Sequence, residues 1–292
     1  MEIISSLTAL RDARRNLRGT VALVPTMGFL HEGHLALMHQ AREHCDHLIV
    51  SIFVNPTQFA PGEDLDRYPR DPEGDAEKCR QLGCDLLFMP ETSQIYAPDH
   101  STRVEVSELD QTLCGPNRPD HFVGVTTIVT KLFNLTGPDV AVFGEKDFQQ
   151  LAIVRKMVAD LNVPVEIVGV PTVREPDGLA LSSRNRYLSA EERRQAPAIA
   201  RALVDAQRAW QAGERSAANL LERAHSALSG AADLRPEYVQ LVHPDTLTAY
   251  TPDDDLSGKP AHLAIAARLG HTRLIDNLRL DRPLPPGPLE TI

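Results

Sequence analysis

His31 and His34 stand three residues apart in Pro25-Thr26-Met27-Gly28-Phe29-Leu30-His31-Glu32-Gly33-His34, between an apolar run of strand length and a stretch of helical period. At a helix start, side chains at this spacing lean toward one side of the first turn. The exposed N–H groups and the positive end of the dipole make that turn an anion site, and Gly28 and Gly33 let a ligand approach the backbone. Imidazoles placed there can donate hydrogen bonds to phosphate oxygens as charge builds at the α-phosphorus of a nucleotide. A zinc helix of the H-E-x-x-H type spaces its histidines by four, so His-Glu-Gly-His does not fit it. A solvated turn is the plain alternative for any short H-x-G-H, and the position directly after a buried strand argues against it. His39, His44 and His47 read as surface residues.

Three further segments carry chemistry. Asn55-Pro56-Thr57-Gln58-Phe59 follows the second apolar run; Gln58 offers both donors and an acceptor to a substrate with hydroxyl and carboxylate groups, although Asn-Pro alone is simply a turn. Gly144-Glu145-Lys146-Asp147-Phe148-Gln149-Gln150 follows another run. Lys146 is a cation at a helix start, where the dipole disfavours it, and a bound phosphate accounts for it better. Asp147 either caps that helix or contacts a ligand, and Gln150, one turn on, could face the same crevice as Gln58. Leu181-Ser182-Ser183-Arg184-Asn185 sets two hydroxyls and a guanidinium where they could hold a triphosphate and close over it. Alone, such a quartet is common in surface loops. Neither the P-loop, nor the dinucleotide fingerprint, nor G-x-S-x-G occurs.

These segments need a scaffold that presents strand ends. Apolar runs at 21–24, 48–54, 85–89, 139–143 and 165–170 alternate with helix-period stretches at 33–44, 74–81, 123–135 and 148–161. The runs are nearly continuous in Val, Ile, Leu and Phe, as strands buried on both faces are. The rhythm predicts an α/β fold with a doubly wound, Rossmann-like parallel sheet, whose ligands bind at the carboxyl ends of the strands. Beyond Pro171 the pattern changes. A loop with Pro176, Asp177 and Gly178 leads to a helix that opens on a capping box, Ser189 with Glu192, and runs to about Gln211, with Pro197 at a first turn or kink. A helix at 217–228 and strands at 238–242, 263–267 and 274–275 make a smaller α+β unit. The expected domains are 1–175 and 176–292, with a mobile Pro-rich C-terminal tail.

Composition narrows the partners. Lys and Arg number 30 against 40 Asp and Glu, a formal charge of −10, so the overall field repels nucleic acid and anionic lipid. The four cysteines form no C-x-x-C pair, which leaves neither a disulfide framework nor a zinc ribbon readable from spacing. The stretch 47–62 lacks Asp, Glu, Lys and Arg but contains Asn55, Pro56 and Pro61, which rules out a membrane span there. The N-terminus lacks the pattern of a secretory signal. The expectation is a cytoplasmic chain with free thiols.

Six blocks in order, PTMGFLHEGH, FVNPTQF, RPDHFVGV, VFGEKDFQQ, ALSSRN and GHTRLIDN, resemble the pantoate–beta-alanine ligase (pantothenate synthetase) family over about residues 1–280. The H-x-G-H resembles the signature of the nucleotidyltransferase superfamily, shared with class I aminoacyl-tRNA synthetases. The resemblance implies that pantoate attacks the α-phosphate of Mg-ATP to give pantoyl adenylate and pyrophosphate, and that β-alanine then displaces AMP to form pantothenate. It implies His34 as the main catalytic imidazole, with His31 and Lys146. Met27, Gly28, His31, Gly33, His34, Gly144, Glu145, Lys146, Asp147, Val173, Leu181, Ser182, Ser183 and Arg184 would hold ATP. Gln58, Gln150 and Asn55 would meet pantoate and β-alanine, with Arg118 near the entrance. It also implies a homodimer, Mg²⁺ arriving with ATP, no metal held by protein ligands and no tightly bound cofactor. Two positions depart from the family: Leu181, more often Met, and His271, commonly Lys and expected here to be structural. A different nucleotidyltransferase and a non-catalytic nucleotide-binding module are the rival readings.

Overall fold

The computed structural model describes all 292 residues. By internal contacts the chain divides into two compact units: residues 1–110, 117–145 and 150–170 form the first, and 111–116, 146–149 and 171–292 the second.

The first unit runs β1 (Glu2–Ile4), α1 (Leu7–Asn16), β2 (Val21–Thr26), α2 (Glu32–Arg42), β3 (His47–Ile52), α3 (Pro72–Gln81), β4 (Leu86–Phe88), α4 (Thr92–Ile95), α5 (His121–Thr136), β5 (Val140–Gly144), α6 (Phe148–Asp160) and β6 (Glu166–Val170), the first two residues of α6 counting with the second unit. The six strands pair in parallel in the order β1-β4-β3-β2-β5-β6. Alternate residues build two cores on opposite faces. Leu23, Ile49, Phe88, Ala141 and Phe143 belong to one, Ala22, Val24, Leu48, Val50, Leu87 and Val142 to the other. Both faces are covered, and the expected doubly wound α/β sheet is present. Strand β1 has no counterpart among the expected runs because Glu-Ile-Ile is too short to show a period.

The order reverses at β2: β3 and β4 build out to one side, β5 and β6 to the other. Such a reversal opens a crevice beyond the carboxyl ends of the two strands that flank it. Here β2 pairs with β5 only through Ala22 and Leu23, so the strands part early. The segments that begin at Met27 and at Gly144 therefore lie at the switch point.

The second unit contains α7 (Ala190–Gln195), α8 (Ala198–Gln211), α9 (Ala217–Ser229) and an antiparallel sheet of β7 (Leu234–Val242), β8 (His262–Leu269) and β9 (Thr272–Arg279), in that order. The capping box of Ser189 and Glu192 is formed. The single helix expected from there to Gln211 is two helices, because Pro197 has no N–H to donate and stands where α8 begins. Strand β9 extends well beyond 274–275. Its polar residues hide it from a hydropathy reading, yet they find partners: Arg273 donates to Glu237 (2.7 Å) and Asp276 accepts from Arg174 (2.6 and 2.8 Å). His271 stands exposed at the β8–β9 turn beside Gly270, whose φ is +54°. The Pro-rich tail does pack, since Leu289 is buried in this unit's core with Leu284 and Ile292 against it.

His262 of β8 stacks on Phe148, ring centroids 3.6 Å apart and 7° from parallel, and its Nε2 lies 2.8 Å from Oδ1 of Asn277. Burial pushes its pKa down from 6.5 to about 4. The unfolded chain takes up a proton that the folded one refuses, so this contribution is complete above pH 6.5 and lost as pH falls toward 4. Between those limits the wild type loses on the order of 3 kcal/mol more stability than His262→Leu. Urea unfolding across that window checks this, and parallel curves for the two proteins would refute it.

Candidate active site

In the first unit the turn after β2 is held from below. Gly28 has φ +83°, and a Cβ there would stand 2.9 Å from Cγ2 of Ile52. Phe29 follows at φ +52°, a region that costs a bulky residue energy. Its N–H donates to Oδ2 of Asp75 at 2.7 Å, and that of Leu30 to Oδ1 at 2.7 Å. Asp75 is 1% exposed, and burial pushes its carboxyl up against the pull of these N–H groups. Lys78, one turn along α3, donates to the Leu30 carbonyl at 2.8 Å. Neither residue stands out in the sequence; each is an ordinary charge on a polar helix until the fold brings it to a turn more than forty positions away.

The two histidines cap the helix they begin. Nδ1 of His31 accepts from the Gly33 N–H at 3.1 Å, and Nδ1 of His34 from the His31 N–H at 3.3 Å. Backbone N–H groups only donate, so in both imidazoles Nδ1 is unprotonated and the proton sits on Nε2. The rings tilt together with centroids 4.2 Å apart. The result is a pair of Nε2–H donors of fixed polarity at the N-terminus of α2.

Next to this turn, Nε2 of Gln58 lies 3.3 Å from Sδ of Met27, and Oε1 of Gln58 accepts from Nδ2 of Asn55 at 3.0 Å. Asn55 is buried; it also donates to the Gly124 carbonyl (3.1 Å) and accepts from Thr57 and Tyr96 (2.9 Å each). Helix α5 approaches closely: a Cβ on Gly124 would stand 2.5 Å from the Thr57 oxygen and 2.8 Å from the Gln58 Cα. Arg118, expected near the entrance, binds Glu63 through Nε (2.8 Å) and Nη2 (2.7 Å). Gly144 and Glu145 follow at the end of β5, and Gln150 lies in α6.

In the second unit Lys146 and Asp147 sit in a 3-10 turn, Nζ 3.8 Å from Oδ1. The Lys146 carbonyl accepts from Nδ2 of Asn277 at 2.9 Å. Lys146, Ala180, Ser182, Asn185, Leu274 and Asp276 line a small pocket. The Leu181 N–H donates to the Val173 carbonyl at 2.9 Å, so these two of the expected nucleotide contacts are neighbours. The Ser182 hydroxyl accepts from the Arg184 N–H (3.2 Å) and opens a 3-10 turn over Ser183–Tyr187. Asn185 ties that turn to Glu175 (3.0 Å), and Arg193 grips both Glu175 and Asp177. No group of three or more His, Cys, Asp or Glu is placed to hold a metal ion.

Residues 2–279 match the family profile described as pantoate-beta-alanine ligase. The chain belongs to the pantoate-beta-alanine ligase family. It is 49% identical over 284 residues to the pantothenate synthetase of Desulfatibacillum aliphaticivorans, covering 96% of this chain and 100% of that one. It is 51% identical over 283 residues to pantothenate synthetase 1 of Bradyrhizobium diazoefficiens, covering 96% and 98%. Among solved structures, pantothenate synthetase from Thermus thermophilus aligns with TM-score 0.90 at 47% identity, covering 96% of this chain and 99% of that one. Pantoate-beta-alanine ligase from Francisella tularensis, in complex with beta-gamma ATP and beta-alanine, aligns with TM-score 0.78 at 30% identity, covering 97% and 99%. The two-part reading from sequence, a parallel Rossmann-like sheet followed by a smaller α+β unit, agrees with these ligase structures. No helix is long and apolar enough to cross a membrane.

Proposed function

We propose that this ligase works through an acyl adenylate. The pantoate carboxylate attacks the α-phosphorus of Mg-ATP and expels pyrophosphate; the amine of β-alanine then attacks the acyl carbon and expels AMP. The observation that carries this reading is the fixed tautomer of His31 and His34. Two neutral Nε2–H donors at a helix N-terminus suit a phosphorus centre that gains negative charge, and because the helix start already orients them they need little reorganisation. Lys146 adds a cation for the phosphates. Val173, Leu181, Ser182, Ser183 and Arg184 contact the nucleotide, as do Met27, Gly28, Gly33, Gly144, Glu145 and Asp147. Gln58, Gln150 and Asn55 hold the acid. Mg²⁺ comes as part of the nucleotide, which suits an ion that keeps phosphate and water ligands and needs few from protein.

Label exchange between pyrophosphate and ATP tests the order of steps. Exchange is expected to require pantoate and not β-alanine, while steady AMP release requires both. Release of ADP, or exchange that needs a phosphate ester in place of pantoate, would refute the reading.

A further inference from the structure

We infer that His121, braced by Arg118 and Glu63, is a positioning residue that fixes the Gln58 turn for the acid substrate. This rests on the assignment of Gln58 to that substrate.

The Gln58 carbonyl accepts two bonds, from Nδ1 of His121 at 2.8 Å and from Nη2 of Arg118 at 3.3 Å. Nη1 of Arg118 lies 2.9 Å from Nε2 of His121. A guanidinium cannot accept, so the arginine donates, Nε2 is unprotonated, and the imidazole proton sits on Nδ1, aimed at the Gln58 carbonyl. Arg118 thus selects the tautomer that makes His121 a donor to the turn. Glu63 in turn accepts from Nε and Nη2 and locks the guanidinium plane, the geometry of a paired fork. The Arg118 side chain is 12% exposed and that of Glu63 20%. Burial pushes the Glu63 carboxyl up, yet the bonds and charge of Arg118 hold it below the usual carboxylate range.

At the other end of the same residue, Asn55 donates to Oε1 of Gln58, which leaves the amide Nε2–H₂ as the end turned away from that bond. The main chain of Gln58 is pinned by His121 and its side chain by Asn55, so its donors are presented with one polarity. A carboxylate or hydroxyl is the partner such donors recognise. Arg118, committed to Glu63, His121 and the Gln58 carbonyl, acts through the turn. It is a brace for that turn.

His121→Leu is expected to raise the KM for pantoate by roughly 10-fold, the scale of one lost hydrogen bond, with the KM for ATP unchanged. His121→Asn puts an amide donor where Nδ1 stood and should restore the KM to near wild type, whereas His121→Gln, whose amide reaches the Nε2 place, should not. If His121→Leu does not fold, the Asn and Gln pair decides alone. Equal KM values for Asn and Gln, or a KM for ATP that rises in parallel, would overturn the proposal. Gln58→Ala tests the role of Gln58 apart from that of His121. If it leaves the pantoate KM unchanged, the Gln58 assignment fails and this inference with it. If it raises that KM while His121→Leu does not, only the inference fails.

Discussion

Replacing His34 or Lys146 by alanine is expected to lower pantoate-dependent pyrophosphate exchange by at least ~10², the scale seen when one preorganised electrostatic group is removed from a developing anion. The two variants lose it for different reasons. Lys146 carries a full charge whose ion-pair partner, the Asp147 carboxylate, lies 3.8 Å away, and its carbonyl remains bound by Asn277 in the variant. His34 contributes an N–H donor and also caps its own helix, so His34→Ala gives up about 1 kcal/mol of stability as well. His34→Gln separates these roles. A glutamine at the third helical position can close the capping box, and its amide offers a neutral donor in place of Nε2–H. It should recover the stability and part of the rate. Stability without any rate would mean that the imidazole passes on its proton and does more than donate a hydrogen bond. Near-normal exchange in both alanine variants would remove these residues from the mechanism.

The largest expected loss of stability lies at Arg174. Its guanidinium meets Asp276 through two bonds, of 2.6 and 2.8 Å, and both side chains are 3% exposed. Arg174 also donates to the Gly178 carbonyl, and Asp276 accepts from the Asn277 N–H. Arg174→Leu leaves a buried carboxylate with no counter-charge, which costs about 3–5 kcal/mol. Pairing it with Asp276→Leu should recover most of that, because a buried ion pair and a well-packed apolar pair are often close in energy. Urea midpoints for the two singles and the double measure it. A single-variant loss below about 1 kcal/mol, the level of an exposed pair, would contradict the burial argument.

The parallel sheet was legible because burial on both faces writes itself into sequence as runs such as Leu-Ile-Val, with no need to know what covers them. The early His pair draws notice by its place directly after a buried strand, and Lys146 by a charge that the dipole of a helix start disfavours. What escaped depends on partners far away in the chain. Asp75 looks like any helix acid, and its two N–H donors lie 46 and 45 positions away. The tautomers of His31, His34 and His121 follow from bonds to backbone and guanidinium that no spacing rule contains. Strand β9 reads as only its two most apolar residues because Arg273, Asp276 and Asn277 look solvent-facing until Glu237, Arg174 and His262 are set opposite them. Pro197 marks a break by its residue type, and the chain restarts there as α8, with Ile199, Leu203 and Trp210 in the core.

The close approach of α5 to the 56–58 turn has a bearing on enzyme redesign. Gly124 lies behind the turn, and the gap that lets the turn sit where it does is the volume of a missing methyl group. Alanine at that position would displace the turn and fill no hole. If Gln58 holds the acid as proposed, a library aimed at a bulkier or shorter acid gains from variation at 124 together with 57, which moves the turn in ways that substitutions at 58 alone cannot.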